Sequence, residues 1–223
     1  MSLVHLGIIP DGNRRWAKAQ GLPTIEGHKK GMYRIEDLVN SAADEGIKYI
    51  TFYIFSTENW GRSEAEVSYL MKMVDVYIMK FAKKLVERNG RLLVLGSKDR
   101  ISPKLASTIE KAEKLTENCT GITACFCFNY GGEQEIADAA TIASEVEGKI
   151  TPETIRKHLY HPEVPDVDMI VRTSGEQRIS GFMLWRGAYS ELMFIEKYFP
   201  EMEPNDIAKI VREFEKRDRR FGK

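Results

Sequence analysis

The stretch Leu3-Val-His-Leu-Gly-Ile-Ile-Pro-Asp-Gly-Asn-Arg-Arg-Trp16 joins a short apolar run to a polar turn. Residues 3–9 have the length and composition of a buried β-strand. Asp11 and Gly12 follow the run at once, and this pair is typical of a tight turn. In open α/β sheets, ligands bind at the carboxyl ends of the strands. The stretch therefore predicts a strand that brings a carboxylate to a ligand-binding edge, although an ordinary Asp-Gly turn would also explain it.

Short apolar runs alternate with longer amphipathic runs along the rest of the chain. The apolar runs predict strands over residues 3–9, 47–54, 91–95, 122–128, 167–171 and 191–194. The amphipathic runs predict helices over residues 27–45, 63–88, 102–116, 132–146, 152–158 and 204–219. Strands separated by helices indicate a parallel sheet covered on both faces. We therefore expect an α/β fold with a central, mostly parallel six-stranded sheet flanked by helices, in a single domain over residues 1–223.

The predicted helix over residues 63–88 has recognisable signals at both ends. Ser63 and Glu66 have the spacing of a capping box, in which the hydroxyl caps the Glu66 amide and the carboxylate reaches back. Asn89 and Gly90 follow, and glycine would end the helix in the left-handed conformation. Three residues widen the apolar stripe of this helix: Met73, Val76 and Met79. The width indicates either a helix buried over much of its circumference or a helix that lines an apolar cavity.

The composition is that of an ordinary globular protein. Of the 223 residues, 43% are hydrophobic and 30% are charged, which excludes wholesale disorder. The 33 basic and 33 acidic side chains give a formal net charge of zero, so we expect no nucleic-acid partner. No apolar run approaches the roughly 20 residues that span a bilayer, and the N-terminus lacks the pattern of a signal peptide. We therefore expect a cytoplasmic protein in which Cys119, Cys125 and Cys127 are reduced thiols.

Basic and carboxylate side chains gather in segments that follow predicted strands. In the first segment, Asp11 is suited to Mg²⁺, while the Gly12 amide and the side chains of Arg14 and Arg15 can donate to phosphate oxygens. In the last segment, three residues can bind a diphosphate: Arg172, Arg178 and Ser180. Glu191 follows them as a second candidate for a metal ligand. A solvated cluster of surface charges is the alternative interpretation of the last segment.

Two further segments carry polar groups after strands. The first offers hydroxyl, carboxylate, amide, indole and guanidinium groups on Ser56, Thr57, Glu58, Asn59, Trp60 and Arg62. In Asn129-Tyr-Gly-Gly132, which joins a strand to a helix, we favour chain reversal over phosphate binding for the two glycines. His28 opens a predicted helix, where it could help to bind an anion. The sequence contains no nucleotide phosphate loop, no dinucleotide-binding glycine fingerprint and no nucleophile elbow.

Taken together and in order, these segments resemble the cis-prenyltransferase family, whose best-known members are the undecaprenyl diphosphate synthases. The resemblance covers nearly the whole chain. It rests on His5-x4-Pro-Asp-Gly-Asn-x-Arg-Trp16, Gly27-His28-Lys29, Phe55-Ser-x-Glu-Asn-Trp60 with Arg62, Asn129-Tyr-Gly-Gly132, Arg172-Thr-x-Gly-Glu-x-Arg-x-Ser180 with Trp185, Tyr189 and Glu191, and the terminal Arg220-Phe-Gly222. Motifs of this kind in this order make the match highly specific.

The resemblance implies a homodimeric α/β enzyme with an apolar tunnel between the sheet and the helices. Enzymes of this family join isopentenyl diphosphate to an allylic diphosphate with Mg²⁺ as cofactor, and the new double bond is cis. By this resemblance Asp11 would bind Mg²⁺ and handle the allylic diphosphate, with Glu191 as a second metal ligand. Asn59, with Ser56, would lie near the proton that is removed from isopentenyl C2.

The same resemblance implies a set of substrate-binding residues. The allylic diphosphate would be held by Gly12, Asn13, Arg14, Arg15 and His28. The isopentenyl diphosphate would be held by Arg172, Arg178, Ile179 and Ser180, joined by Arg220 and Gly222 of the partner subunit. Further substrate contacts would fall on Trp16, Ser56, Thr57, Glu58, Trp60 and Arg62.

Several residues depart from the family pattern: Pro10, Thr24, Cys125, Glu133, Gly181 and Arg186. Ile54, Phe126 and Phe128 lie where the tunnel wall of the family often carries smaller residues. Because Phe126 and Phe128 share one face of a strand, their rings would fill volume that a growing chain needs. We therefore expect a product shorter than undecaprenyl diphosphate.

Two alternatives stay open. Some members of the family couple two allylic diphosphates irregularly, and the altered surroundings of Pro10, Thr24 and Gly181 keep that reaction in view. The chain could also be a non-catalytic subunit, although such subunits usually lose the Asp-Gly-Asn motif that is present here. Residues 212–223 carry six basic and three acidic side chains, which suits either a transient membrane contact or a diphosphate clamp across the dimer. We favour the clamp.

Overall fold

A parallel β-sheet forms the centre of the protein, whose computed structural model describes residues 2–217. Within those residues the six strands are β1 (His5–Ile9), β2 (Tyr49–Ser56), β3 (Arg91–Leu95), β4 (Thr123–Tyr130), β5 (Met169–Arg172) and β6 (Glu191–Phe194). Their order across the sheet is β3-β4-β2-β1-β5-β6, and every neighbouring pair is parallel. The predicted α/β class and six-stranded sheet are confirmed, and the sheet is wholly rather than mostly parallel.

Within residues 2–217, helices connect every two consecutive strands except β5 and β6, which a loop joins. In the described part of the chain they are α1 (Asn13–Ala19), α2 (Thr24–Asp44), α3 (Glu64–Glu87), α4 (Pro103–Thr116), α5 (Gly132–Glu147), α6 (Pro152–Lys157) and α7 (Pro204–Glu215). The sequence prediction misses α1, because we interpreted Asp11-Gly-Asn13 as a turn and predicted no helix before residue 27. The turn is confined to Gly12, whose φ of 92° lets the helix begin directly after the strand. No helix within residues 2–217 is both long enough and apolar enough to cross a membrane.

The two faces of the sheet pack against different parts of the chain. On one face, Ile8 and Phe52 belong to an apolar core that includes residues of α2, α3, α4 and α7. On the other face, Ile9 and Tyr53 pack in a second cluster with Phe182. Successive residues of a strand point to opposite faces, so β1 and β2 contribute to both clusters. The sheet is therefore buried on both sides, as its nearly continuous apolar strands predict.

The ends of α3 differ from the prediction in two details. The Ser63 hydroxyl accepts a hydrogen bond from the Glu66 amide at 3.4 Å, as predicted. The Glu66 carboxylate, however, contacts cationic side chains instead of reaching back to Ser63. At the other end, the residue with a left-handed backbone is Asn89, at φ 56°, and not Gly90. Glycine is favoured at position 90 for a steric reason, since a Cβ atom there would lie 2.8 Å from the Leu85 side chain.

Two β-bulges distort the pairing of β2 with β4. Tyr53 pairs with Cys127 and Phe55 with Phe128, so Ile54 is an extra residue on β2. The register then shifts back, which leaves one extra residue on β4 before Tyr130. Bulges re-aim side chains and are common beside functional sites. Both strands also extend two residues beyond their predicted ends at positions 54 and 128.

Candidate active site

A cavity of about 670 Å³ opens at the carboxyl ends of β1, β2, β4 and β5. Its mouth is polar and includes Asp11, Asn13, Ser56, Asn59, Arg172 and Ser180. Its apolar part lies between the sheet and helices α2 and α3, and it is lined by Met32, Ile35, Ile54, Leu70, Met73, Val74, Phe128 and Phe199. The arrangement suits an elongated ligand that has an anionic head and a hydrocarbon body. The apolar part occupies the place that the resemblance assigns to a tunnel.

Asp11 lies at the mouth of the cavity, where β1 meets α1. Its Oδ2 accepts a hydrogen bond from Arg172 Nη2 at 2.8 Å, and its Oδ1 accepts one from the Gly12 amide at 2.6 Å. Arg15 Nη2 lies 3.4 Å from Oδ1. Burial acts to raise the pKa of Asp11, but the hydrogen bonds from Arg172 and Gly12 and the charges of Arg172 and Arg15 lower the pKa overall. The carboxylate is therefore ionised at neutral pH.

Arg172, at the end of β5, is only 5% exposed. Besides its bond to Asp11, its guanidinium donates to Ser180 Oγ at 2.9 Å and to the backbone oxygen of Arg178 at 2.6 Å. Its Nε is buried and has no hydrogen-bond partner among the described residues, and the same is true of Asn13 Oδ1. Buried polar atoms nearly always have partners. Arg172, which lines the cavity, therefore keeps one unpaired donor, whereas Asn13 Oδ1 faces Gly31, where an added Cβ atom would lie 2.3 Å from it.

Glu176 is a residue of this region that the sequence prediction missed. Its carboxylate lies 3.0 Å from Arg15 Nη1 and 2.6 Å from Arg178 Nη1. Arg178 is thus engaged by Glu176 at the surface, and Ile179 packs against the second core cluster. Neither residue lines the cavity. The signal for Glu176 was present in the sequence, since this acid lies between the arginines of the predicted diphosphate segment.

A second cavity, of about 820 Å³, adjoins the first and shares five residues with it: Pro10, Asp11, Asn13, His28 and Arg62. Its wall is strongly basic and includes Arg14, Arg15, Lys18, His28 and Arg62. Burial and then the Arg62 charge lower the pKa of His28, against a partial opposing effect of Glu66. The arginines and the lysine therefore carry most of the positive charge at neutral pH. Together the two cavities can receive two anionic groups.

The end of β2 and the turn after it line the first cavity with Ser56, Thr57, Glu58, Asn59 and Arg62. Asn59 Oδ1 accepts a hydrogen bond from the Ser56 amide at 3.2 Å, so the turn itself orients this carboxamide. The two indoles that were predicted to contact substrate line neither cavity. Trp60 Nε1 donates to Asn129 Oδ1 at 2.7 Å, and Trp16 is buried in α1.

The three predicted tunnel residues separate into two groups. Ile54 and Phe128 line the first cavity. Phe126 does not, because its ring stacks on Phe81 with the centroids 5.1 Å apart and is enclosed in the core. Phe126 is therefore a core residue, although it shares a face of β4 with Phe128.

Glu191 lies far from Asp11 within one chain. It begins β6 and pairs with Met169, whereas Asp11 follows the end of β1, where Ile9 pairs with Arg172. Within one chain the two carboxylates lie at opposite ends of the strands and cannot bind the same metal ion; the expectation that Glu191 assists the metal stays a prediction. Within residues 2–217 no group of three His, Cys, Asp or Glu side chains could hold a metal ion. Two predicted substrate residues lie outside the described residues: Arg220 and Gly222.

Comparison with known proteins shows the family. A family model described as putative undecaprenyl diphosphate synthase matches residues 9–222. The chain belongs to the undecaprenyl diphosphate synthase family. The resemblance seen in the sequence motifs is thus confirmed, and the protein is a prenyltransferase by family.

Relatives within this family cover almost the whole chain. An isoprenyl transferase of Neisseria gonorrhoeae is 43% identical over 220 residues, which are 98% of this chain and 89% of that protein. The ditrans,polycis-undecaprenyl-diphosphate synthase of Vibrio cholerae, specific for (2E,6E)-farnesyl diphosphate, is 42% identical and covers 98% of this chain and 90% of its own. The crystal structure of lavandulyl diphosphate synthase from Lavandula x intermedia, in complex with dimethylallyl diphosphate, has a TM-score of 0.94 at 32% identity, covering 100% and 99%.

The departures from the pattern of the undecaprenyl diphosphate synthase family fall in two places. Four of them line one or both cavities: Pro10, Thr24, Glu133 and Gly181. Cys125 and Arg186 are buried instead on the opposite face of the sheet. Burial raises the pKa of the Cys125 thiol to about 12, so this thiol is neutral. Arg186 forms an ion pair with Glu135 at 2.7 Å, and neither side chain is exposed to solvent.

Proposed function

We propose that the protein condenses isopentenyl diphosphate with an allylic prenyl diphosphate to give a Z-configured polyprenyl diphosphate. The observation that carries this proposal is one cavity with a cationic mouth and an apolar interior. Guanidinium groups at the mouth suit diphosphates, and the apolar wall suits a prenyl chain. Membership of the family and the farnesyl diphosphate specificity of the Vibrio cholerae relative support an allylic co-substrate.

The two diphosphates would occupy different parts of the basic wall. The allylic diphosphate would lie against Arg14, Arg15 and His28, which line the second cavity. The isopentenyl diphosphate would lie against Ser180 and against Arg172, whose buried Nε has no hydrogen-bond partner within residues 2–217. When the allylic carbon–oxygen bond breaks, the leaving diphosphate takes the electron pair. Fixed cations at that point stabilise the developing charge without reorganisation.

We propose Mg²⁺ as the cofactor, with Asp11 as its protein ligand. Mg²⁺ commonly binds through one or two carboxylates together with substrate phosphates, so a single ionised carboxylate between two diphosphate sites fits this ion. When bound, Mg²⁺ would neutralise charge on the departing diphosphate. The bonds from Gly12 and Arg172 hold the carboxylate of Asp11 in place at the mouth.

Formation of the carbon–carbon bond also requires a group in the site near the proton that leaves isopentenyl diphosphate. The allylic C1 bonds to isopentenyl C4, and a proton leaves isopentenyl C2. Asn59 is the residue we place near this proton, because its carboxamide lines the cavity and the Ser56 amide orients it. The apolar wall beyond it excludes water, which would otherwise capture the allylic cation.

Prenyl transfer by the purified protein tests the proposal. Labelled isopentenyl diphosphate, farnesyl diphosphate and Mg²⁺ should give longer, labelled Z-products. Omitting the farnesyl diphosphate should leave the label unreacted. Incorporation only after addition of a second protein would favour the non-catalytic subunit, and no incorporation under any of these conditions would contradict the proposal.

A second candidate reaction is the irregular coupling of two allylic diphosphates. The observation that favours it is the likeness to lavandulyl diphosphate synthase with dimethylallyl diphosphate bound, at a TM-score of 0.94. Dimethylallyl diphosphate as the only substrate distinguishes the two reactions. Formation of a product with two prenyl units from dimethylallyl diphosphate alone would establish irregular coupling. Absence of this product would exclude the reaction.

We further propose that the product is shorter than undecaprenyl diphosphate. Ile54 and Phe128 line the cavity, and Ile54 is the extra residue of the bulge in β2. Ile54→Ala and Phe128→Ala should each lengthen the product, because truncation makes room for further isoprene units. Mass spectrometry of the dephosphorylated products measures the length. Phe126→Leu is the matched control and should leave the length unchanged, whereas unchanged lengths in both alanine variants would contradict the proposal.

We propose that the protein acts as a homodimer, in which the partner subunit's Arg220 and Gly222 join the isopentenyl site. The family resemblance supports this assembly, and Tyr189 and Leu192 expose apolar surface beside the edge strand β6. Light scattering should give a mass twice the 25.5 kDa of one chain. Truncation after Arg217 should raise the KM for isopentenyl diphosphate, and an active monomer would contradict the proposal.

We also propose that the protein is cytoplasmic. Because its polyprenyl product would partition into lipid, we propose that it contacts the membrane surface transiently.

A further inference from the structure

Glu66 is a largely buried carboxylate on which two arginines and a histidine converge. Its Oε1 accepts a hydrogen bond from Arg62 Nη1 at 2.9 Å and lies 3.3 Å from His28 Nε2. Arg14 Nη1 lies 4.0 Å from Oε2. The Glu66 side chain is 15% exposed and lines neither cavity, whereas His28 and Arg62 line both. Glu66 therefore contacts two side chains of the cavity wall without lining a cavity itself.

The local sequence explains why this carboxylate is available. Ser63 caps α3 through the Glu66 amide, which places Glu66 in the first turn of the helix. A carboxylate in the first turn is stabilised by the helix dipole. Burial acts to raise the pKa of Glu66, but the charges of Arg62 and Arg14 and the bond from Arg62 lower the pKa overall. The carboxylate is thus ionised and faces Arg62, four residues earlier in the chain.

The three side chains come from separate segments, and the charges of the two arginines repel each other. Arg14 lies in α1 and His28 lies in α2. Arg62 is the residue that follows the 3-10 helix Thr57–Gly61. A shared anion offsets part of this repulsion and fixes the side chains that contact it. The bond to Glu66 uses one terminal nitrogen of Arg62, and a guanidinium has five N–H donors. The other donors of Arg62 can therefore serve a ligand in the cavity.

We propose that Glu66 is a positioning residue that holds Arg62 and His28 in place to bind the allylic diphosphate. The inference rests on the proposed function, because it concerns the diphosphate of that reaction. Glu66 acts through Arg62 and His28 and does not contact the diphosphate. Loss of its charge should release Arg62 and His28 from their shared anchor and weaken the grip on one substrate selectively.

Steady-state kinetics of Glu66→Gln tests this role. The substitution keeps the shape of the side chain and removes its charge. The KM for the allylic diphosphate should rise about ten-fold, while the KM for isopentenyl diphosphate changes less than about two-fold. Glu64→Gln is the matched control, since Glu64 lies exposed in the same first turn. It should leave both KM values unchanged.

Adding Glu66→Gln to a variant that lacks both Arg62 and His28 separates positioning from a general effect on folding. In an Arg62→Ala, His28→Ala background, Glu66→Gln should have almost no further effect on the KM for the allylic diphosphate, because the side chains through which it acts are gone. A full additional ten-fold rise in that background would overturn the inference. A rise in both KM values together with a lower Tm would also overturn it, since this pattern indicates a structural role.

Calorimetry with inorganic pyrophosphate tests the same contact without turnover. Glu66→Gln should bind pyrophosphate about ten-fold more weakly than the wild-type protein, with Glu64→Gln as the control. Equal affinity in Glu66→Gln and wild type would overturn the inference. If the wild type binds pyrophosphate, shows this loss in Glu66→Gln and yet fails to transfer prenyl groups, the proposed function is contradicted and the positioning role stands.

Discussion

Asp11→Asn should lower kcat/KM for prenyl transfer about 10³-fold, the size of effect expected when a group that stabilises transition-state charge is lost. Asparagine keeps the shape of the side chain and can still accept a hydrogen bond from Arg172. It removes the negative charge that we propose to bind Mg²⁺, and it leaves Arg172 and Arg15 without their shared counter-charge. The assay measures initial rates with isopentenyl and allylic diphosphates at saturating Mg²⁺.

The control for Asp11→Asn is Asp44→Asn at the end of α2. The Asp44 side chain is 74% exposed at the last residue of α2, forms an ion pair with Arg88 at 3.6 Å and lines neither cavity. The activity of the Asp44→Asn variant should equal that of the wild type. Activity of Asp11→Asn within a few-fold of wild type would contradict the assignment of Asp11 to the reaction.

Arg186→Met should lower the free energy of unfolding by about 3–5 kcal/mol, because it leaves a buried carboxylate without its cation. Arg186 and Glu135 are both fully buried, and their charged atoms lie 2.7 Å apart. Arg186 also donates to the backbone oxygens of Tyr160, His161 and Val164, and these acceptors lose their donor in the variant. Urea denaturation at neutral pH measures the loss.

Two companion variants show whether the buried pair causes the loss. Glu135→Gln combined with Arg186→Met should recover much of the stability, because the unpaired charge is gone. Arg156→Met removes an exposed pair with Asp166 and should cost at most about 1 kcal/mol. A cost of Arg186→Met no larger than that of Arg156→Met would show that the buried pair does not matter for stability.

Local signals were enough to predict most of the fold. The strand at residues 91–95 and the strand at 191–194 have the predicted bounds, since each is a short apolar run between turn residues. Helix α1 was missed because Gly12 turns the chain in one residue, and the same motif is equally compatible with a longer turn. Left-handed Asn89 was missed for a similar reason, because asparagine and glycine both adopt that conformation and lie side by side.

Features of the site that depend on distant parts of the chain could not be predicted. Phe126 and Phe128 share a face of β4, but only the bulge beside Ile54 and the ring of Phe81 decide which of them reaches the cavity. Glu135, the partner of Arg186, is 51 residues away in sequence. Glu191 has the residue type of a metal ligand, and only the register of β6 shows that it lies at the other end of the sheet.

A crystal structure with isopentenyl diphosphate and an unreactive analogue of an allylic diphosphate tests the central claim most directly. The account predicts one diphosphate on Arg172, with an oxygen that accepts a hydrogen bond from the buried Nε, and a second diphosphate against Arg14, Arg15 and His28. It predicts the hydrocarbon chain in the apolar part of the cavity, along Ile54, Met73 and Phe128. Diphosphates bound elsewhere, or a hydrocarbon chain outside that cavity, would contradict the account.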